Sequence, residues 1–212
     1  LISYQADKLF VPASNAKLFT LYAALKYLGD SIPGLRVQEN KKSIKILGTG
    51  DPTFLNPEFS ARKIFDYLKN CQQEIVLRIP SKKDFRPFGD GWSMDDYDAA
   101  YAPEKSEFPI YGNVVSFAGR PDLLQPIPKK HIQFSYQLGE KSLVRRDPHQ
   151  NRFELFVNSK QKDIELSAPF IVSANLITEF LSDTLRKKVK LEISDSSELQ
   201  IQSFKCVYSE AT

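Results

Sequence analysis

The sequence predicts a mixed α/β fold, α+β in the arrangement of its parts, and three observations carry that prediction. Residues 43–79 read strand, helix, strand within one short stretch. Residues 130–167 read as three or four short strands joined by polar turns, an antiparallel run. Residues 14–28 and 169–185 repeat apolar side chains at helical spacing. At 212 residues the chain is long enough for one large domain or two small ones with a packed core.

Taken in order, residues 1–11 read as strand, turn and strand, with the turn at Ala6-Asp7-Lys8 and Leu9-Phe10-Val11 extended. Pro12 ends that stretch and Ser14 is a natural N-cap. Leu18, Leu21, Tyr22, Leu25 and Leu28 then share one side of a helix that Gly29 closes. Asp30-Ser31-Ile32-Pro33-Gly34 breaks the chain. Ser43 to Leu47 alternate as a strand running into Gly48-Thr49-Gly50-Asp51-Pro52. Pro57 and Glu58 open a second amphipathic helix, with Phe59, Ile64, Phe65 and Leu68 apolar, that ends near Asn70, and Glu74 to Ile79 form a strand.

From Phe85 to Pro103 aromatic and acidic residues crowd together without a period, which reads as an irregular loop pinned by buried rings. Its adjacent carboxylates, Asp95 and Asp96, are expected to bond loop amides, since sequential neighbours rarely converge on one reacting bond. Phe108 to Phe117 resume strand character around a turn at Gly112-Asn113, and further turns fall at Gly139-Glu140 and Pro148-His149-Gln150-Asn151. The last long helix spans Pro169 to Leu185, with Leu176, Ile177, Phe180, Leu181 and Leu185 as its buried stripe. Val189 to Ile193 and Ile201 to Val207 read as strands, and no internal repeat is present.

Ser14 and Lys17 stand one turn apart at the head of the first helix, so their side chains share one face. A serine hydroxyl is a weak nucleophile until a base takes its proton. Lys17 can be that base where burial or a neighbouring cation keeps its amine partly neutral. The unpaired backbone N–H groups and the positive end of the helix dipole favour the anions formed when a serine attacks a carbonyl. The tetrad Ser14-Asn15-Ala16-Lys17 also describes an ordinary capped helix with a solvated lysine.

The formal charge of +3, from 29 basic and 26 acidic residues interspersed along the chain, leaves no dense basic patch, so nucleic-acid binding is not expected. No apolar run approaches the roughly 20 residues that span a bilayer. Cys71 and Cys206 have no metal-type spacing; the sequence leaves a pairing of the two open, and two unpaired buried thiols are the expectation. His131 and His149 are expected on the surface, and no metal or cofactor is implied.

Four landmarks in this order resemble the class C low-molecular-mass penicillin-binding proteins, the D-alanyl-D-alanine carboxypeptidases and endopeptidases of bacterial cell walls. They are Val11-Pro12-Ala13-Ser14-Asn15-Ala16-Lys17, the helix end at Leu28-Gly29, the segment Gly48-Thr49-Gly50-Asp51-Pro52-Thr53, and the loop Gly91-Trp92-Ser93-Met94-Asp95-Asp96-Tyr97. The resemblance implies part of a β-lactamase/transpeptidase-like fold carrying a large inserted α/β plus antiparallel-β region. Residues 1–32 would be its N-terminal part, 33–199 the insertion, and 200–212 the start of the return to the transpeptidase-like domain.

It implies further that Ser14 is the nucleophile and Lys17 its base, acting through an acyl-enzyme on peptidoglycan peptide stems. It also implies that β-lactams acylate the same serine, that no cofactor is needed, and that the protein is exported to the periplasm by a signal peptide not within this chain.

The family also uses a Ser-x-Asn and a Lys-Thr-Gly. Ser173-Ala174-Asn175 spells the first but reads as a helix cap, Tyr111-Gly112-Asn113 lacks the serine, and Lys-Thr-Gly is absent from the sequence. Residues 1–4 read as a strand already under way, and no element terminates the chain after Val207-Tyr208-Ser209, so the expectation is a piece of a longer protein, inactive alone. The competing reading is a non-catalytic module that binds peptidoglycan or a protein, with the aromatic loop around Trp92 as its grip and Ser14 idle.

Overall fold

A computed structural model describes residues 3–28, 31–60, 62–81, 86–194 and 204–208. The chain divides into two compact units, residues 1–32 and residues 33–210.

The first unit holds helix α1 (Ala16–Tyr27), preceded by a 3-10 turn at Ala13–Asn15. Leu, Ala and Lys dominate α1 and neither Gly nor Pro interrupts it, which suffices for a helix on propensity alone. It ends at Leu28, whose N–H donates to the Ala24 carbonyl at 2.8 Å; Gly29, expected as the closing residue, lies outside the described residues. The strands expected before it are not found among residues 3–11, which form turns and bends with Leu9, Phe10 and Val11 exposed. Alternation marks a strand only where a partner strand meets its backbone.

In the second unit, five strands form a mixed sheet in the order β10-β3-β2-β1-β11. They are β1 (Pro33–Glu39), β2 (Ser43–Gly48), β3 (Glu74–Pro80), β10 (Val189–Ser194) and β11 (Lys205–Tyr208). Helix α2 (Lys63–Asn70) carries the chain from β2 to a parallel β3, the expected strand-helix-strand unit, and β10 adds in parallel on the other side of β3. β1 and β11 complete the sheet antiparallel. Lys205–Tyr208, within the strand expected over 201–207, is an edge strand of this sheet, while residues 200–203 lie outside the described residues.

Helix α3 (Ala174–Leu185) packs on β10, and the five side chains expected as its stripe are all buried. They join Leu35, Val37, Ile44, Ile46, Ile75 and Leu77 of the sheet in one apolar cluster. Its start is later than expected because Pro169 belongs to a preceding strand; Ser173 is the N-cap, its hydroxyl accepting from the Leu176 N–H at 3.2 Å. Helix α2 likewise starts at Lys63 rather than Pro57, with Ile64 and Leu68 buried.

Two three-stranded sheets complete the unit. One is antiparallel, ordered β5 (Leu123–Ile127), β4 (Val114–Arg120), β9 (Ile164–Pro169). The other is ordered β6 (Gln133–Leu138), β8 (Arg152–Val157), β7 (Leu143–Arg146). The expected purely antiparallel run is therefore corrected: β6 pairs with β8 in parallel, and β7 lies on the far side of β8. Phe117 of β4 joins the two sheets, its ring 5.3 Å from Phe134 of β6 and 5.8 Å from Phe153 of β8. The cysteines are unpaired as expected but not buried: Cys71 is half-buried and Cys206 exposed, since the edge strand β11 presents it outward.

The C-terminal ends of α2 and α3 are tied reciprocally. Lys187 Nζ donates to the carbonyls of Leu68 at 3.3 Å, Lys69 at 2.6 Å and Cys71, while Lys69 Nζ donates to the Leu185 carbonyl at 2.7 Å. A cation at these ends meets both the unpaired carbonyls and the negative end of the dipole. Lys187→Met is therefore expected to cost about 1.5–3 kcal/mol in denaturant unfolding. Lys188→Met, at an exposed neighbour, should cost less than about 0.5 kcal/mol. Equal midpoints for the two variants would remove Lys187 as a tie.

Candidate functional site

Ser14 and Lys17 meet as the spacing predicts. Lys17 Nζ lies 3.3 Å from Ser14 Oγ, donor to acceptor, across one continuous helical turn. Ser14 is not the N-cap expected for it. Asn15 already has helical dihedrals (φ −62°, ψ −22°), so the winding begins upstream and no side chain caps either segment. Ala13, just before the serine, has φ +46°, a left-handed conformation that costs about 1–2 kcal/mol for a residue with a Cβ.

Both side chains of the pair are exposed, as is every described residue of α1 except the half-buried Ala24. Leu18, Phe19, Leu21, Tyr22, Leu25 and Leu28 are each more than half exposed. Of the helix's twelve residues only Lys17, Thr20 and Lys26 lack an apolar or aromatic side chain. A helix so apolar on nearly every side belongs in the interior of a domain. Among the described residues of 1–32 none supplies that interior, and both Ser14 and Lys17 stay exposed.

The third landmark, Gly48–Thr53, is architectural. At the end of β2, Gly48 runs against the backbone of Glu107: a Cβ on it would sit 2.1 Å from the Glu107 carbonyl oxygen. Gly50, with φ +80°, donates its N–H to that same oxygen at 2.7 Å. Thr49 Oγ1 donates to the Pro33 carbonyl at 2.5 Å, and buried Asp51 accepts from the Thr53 N–H at 3.0 Å. The segment Gly48–Thr53 is thus a pinned elbow with no free nucleophile or base aimed at a cleft.

The fourth landmark, the aromatic loop, is largely irregular, as expected, with one 3-10 turn at Met94–Asp96, but its rings are not buried. Trp92 is 43 % exposed and Tyr101 77 %. The reason is that the loop walls a cavity of about 570 Å³ instead of filling a core; Phe88, Trp92, Met94, Tyr97, Pro148 and Ile171 are among the residues that line it. Asp95 and Asp96 do not converge on one partner. The Asp95 N–H donates to Ser93 Oγ at 3.3 Å, and Asp96 Oδ1 accepts from the Tyr101 hydroxyl at 2.6 Å, which raises the Tyr101 pKa.

Sequence reasoning missed one residue here. Arg146, at the end of β7, lines this cavity and is 4 % exposed. In the sequence it is one of a pair of arginines before a turn, which is the ordinary look of solvated charge, and only the fold reveals its burial.

A model of the D-Ala-D-Ala carboxypeptidase 3 (S13) family matches residues 1–123, more than half of the chain, including Ser14, Lys17, the Gly48–Thr53 elbow and the aromatic loop. The chain belongs to the S13 family. Among solved structures, it is similar to penicillin binding protein 4 (dacB) from Haemophilus influenzae at 18% identity and a TM-score of 0.60, covering 88% of this chain and 49% of that one. A second structure of that protein, complexed with a novel beta-lactam, matches at 16% identity and a TM-score of 0.53, covering 92% and 49%. At such identities the likeness is one of fold. This S13 chain spans about half the length of the solved chains it matches. Comparison with curated proteins finds no match.

Proposed function

We propose that this S13 chain carries the nucleophile of a serine-type D-alanyl-D-alanine carboxypeptidase or endopeptidase that works on peptidoglycan peptide stems in the periplasm. The observation that carries the reading is the 3.3 Å contact between Lys17 Nζ and Ser14 Oγ on one turn of helix, inside the segment that the family model matches. Ser14 Oγ attacks the carbonyl carbon between two D-alanines while Lys17 accepts the hydroxyl proton. The C–N bond breaks, the leaving amine takes that proton, and the acyl group stays on Ser14. Lys17 then takes a proton from water as the water oxygen attacks the ester carbonyl; the bond from that carbon to Ser14 Oγ breaks, and Lys17 returns the proton to Oγ, freeing the serine and the carboxylic acid product. The Ser14 backbone N–H is one donor to the oxyanion, and a second comes from outside these residues.

The exposed apolar sides of α1 support a catalytic domain that is completed around this helix. By the same reasoning the 212 residues alone should be inert, since the sequence has no Lys-Thr-Gly. Missing members of a catalytic unit typically cost factors of about 10⁴ or more.

Labelling with a fluorescent penicillin tests the assignment in the protein whose catalytic domain is complete. Wild type should retain a covalent label, Ser14→Ala should show none, and Lys17→Ala should label at least about 10³-fold more slowly. A label that survives Ser14→Ala removes this serine as the nucleophile.

A further inference from the structure

Each of the three sheets has two outer strands among the described residues, and an outer strand bares a row of backbone N–H and C=O groups with which another strand can pair. Five of these six strands carry a residue that discourages such pairing. β10 has Lys190, β11 has Lys205, β7 has Arg145 and β9 has Glu165, all exposed, while β5 has Pro126, which lacks an N–H. The sixth, β6, reads Gln133-Phe134-Ser135-Tyr136-Gln137-Leu138 and has neither a charge nor a proline. In a chain with 29 basic and 26 acidic residues, it is the outer strand left unguarded.

All six residues of β6 are exposed. By the two-residue period of a strand, Phe134, Tyr136 and Leu138 fall on one face and Gln133, Ser135 and Gln137 on the other. The apolar face continues that of β8, where Phe153, Leu155 and Val157 stand in register with these three and are fully buried. Phe134 still meets Phe117 of the facing sheet, but Tyr136 is 50 % exposed and Leu138 67 %. The apolar layer thus runs past β8 and ends uncovered on β6.

We propose that β6 is an interface between two copies of this chain, paired antiparallel about a twofold axis so that the three-stranded sheet continues into its counterpart. Identical strands related by such an axis necessarily meet antiparallel. An axis through Ser135 sets Phe134 of one copy opposite Tyr136 of the other, and Gln133 opposite Gln137. Apolar side chains then meet apolar ones, and amides meet amides, at both ends of the pairing. The lack of charge on β6 matters most for a second copy, because a strand bearing lysines or carboxylates would bring like charges face to face with itself. A foreign strand would need its own match to this pattern, whereas a second copy has one by symmetry.

Sedimentation equilibrium of the 212-residue chain at about 100 µM should show a dimer. Gln133→Lys combined with Gln137→Lys places lysine opposite lysine at both contacts, and Gln133→Glu combined with Gln137→Glu does the same with carboxylates. Each double variant should raise the dissociation constant at least about tenfold. An equimolar mixture of the two sets lysine against glutamate and should recover association to within about threefold of wild type. Both positions are exposed on the polar face, so the variants should fold, which far-ultraviolet spectra check.

A wild-type chain that stays monomeric would overturn the proposal. So would charged variants that associate as tightly as wild type, the result expected if copies met through the apolar sides of α1, and so would a mixture no tighter than its parts. The protein with a complete catalytic domain should repeat all four results. A monomer there would assign the β6 edge to residues outside this chain and overturn the proposal equally.

Discussion

Gly48→Ala is expected to destabilise the second unit by about 3 kcal/mol or more, among the largest effects any single methyl can have here. The added carbon would lie 2.1 Å from the Glu107 carbonyl oxygen, 2.6 Å from its carbon and 2.8 Å from Phe108 Cα. All three are backbone atoms, so no side chain can swing aside. Relief requires the strand end and the Glu107–Phe108 segment to separate. That breaks the bond from the Gly50 N–H and pulls Phe108, buried and 5.2 Å edge-on to Phe54, out of the core.

Gly91 is the comparison. Its φ is +80° and nothing lies within 4 Å of a Cβ placed there, so Gly91→Ala should cost only the left-handed strain, about 1 kcal/mol. Denaturant midpoints of the two variants decide the matter. If they coincide, the close approach at Gly48 is not what holds the elbow.

Asn113→Ala should cost about 3–5 kcal/mol, because one buried amide ties three parts of the chain. Its Oδ1 accepts from the Ile110 N–H at 3.2 Å. Its Nδ2 donates to the Glu104 carbonyl at 2.8 Å and to Ser106 Oγ at 2.9 Å. Tyr111, Gly112 and Asn113 are all left-handed, at φ +56°, +67° and +57°. Asparagine tolerates that region better than alanine does.

Two substitutions separate these causes. Asn113→Gly keeps the backbone relaxed and loses only the bonds, and it should fall short of the alanine variant by about 1 kcal/mol. Glycine fully restoring wild-type stability would mean that the side-chain bonds contribute nothing net.

What could be seen in the sequence was set by how local the cause is. The α3 stripe from Leu176 to Leu185 was legible because one sheet covers one side of that helix, and its cap Ser173 because capping is a bond within one turn. The pair at Ser14 and Lys17 was legible for the same reason.

β1 went unread because Pro33-Gly34 looks like a break, whereas Pro33 is the first strand residue and tolerates its missing N–H at that end. The parallel pairing of β6 with β8 could not be read at all. Alternation of side chains is the same in parallel and antiparallel strands, and the choice was made by β7 taking the other side of β8. Similarly, the loop around Trp92 showed its composition but not that its rings would line an open space with Arg146 in its wall.

The order β10-β3-β2 places β3 against a strand that is translated long after it. When Ile79 leaves the ribosome, one edge of β3 has no partner, and the side chains of Ile75, Leu77 and Ile79 have no α3 to cover them. The nascent polypeptide must hold that sticky edge open until Val189–Ser194 emerges, a wait in which it can join the wrong strand. Expression constraints follow from this timing: any version shortened to stop before Val189 should accumulate in inclusion bodies, whatever it retains of the helix bearing Ser14.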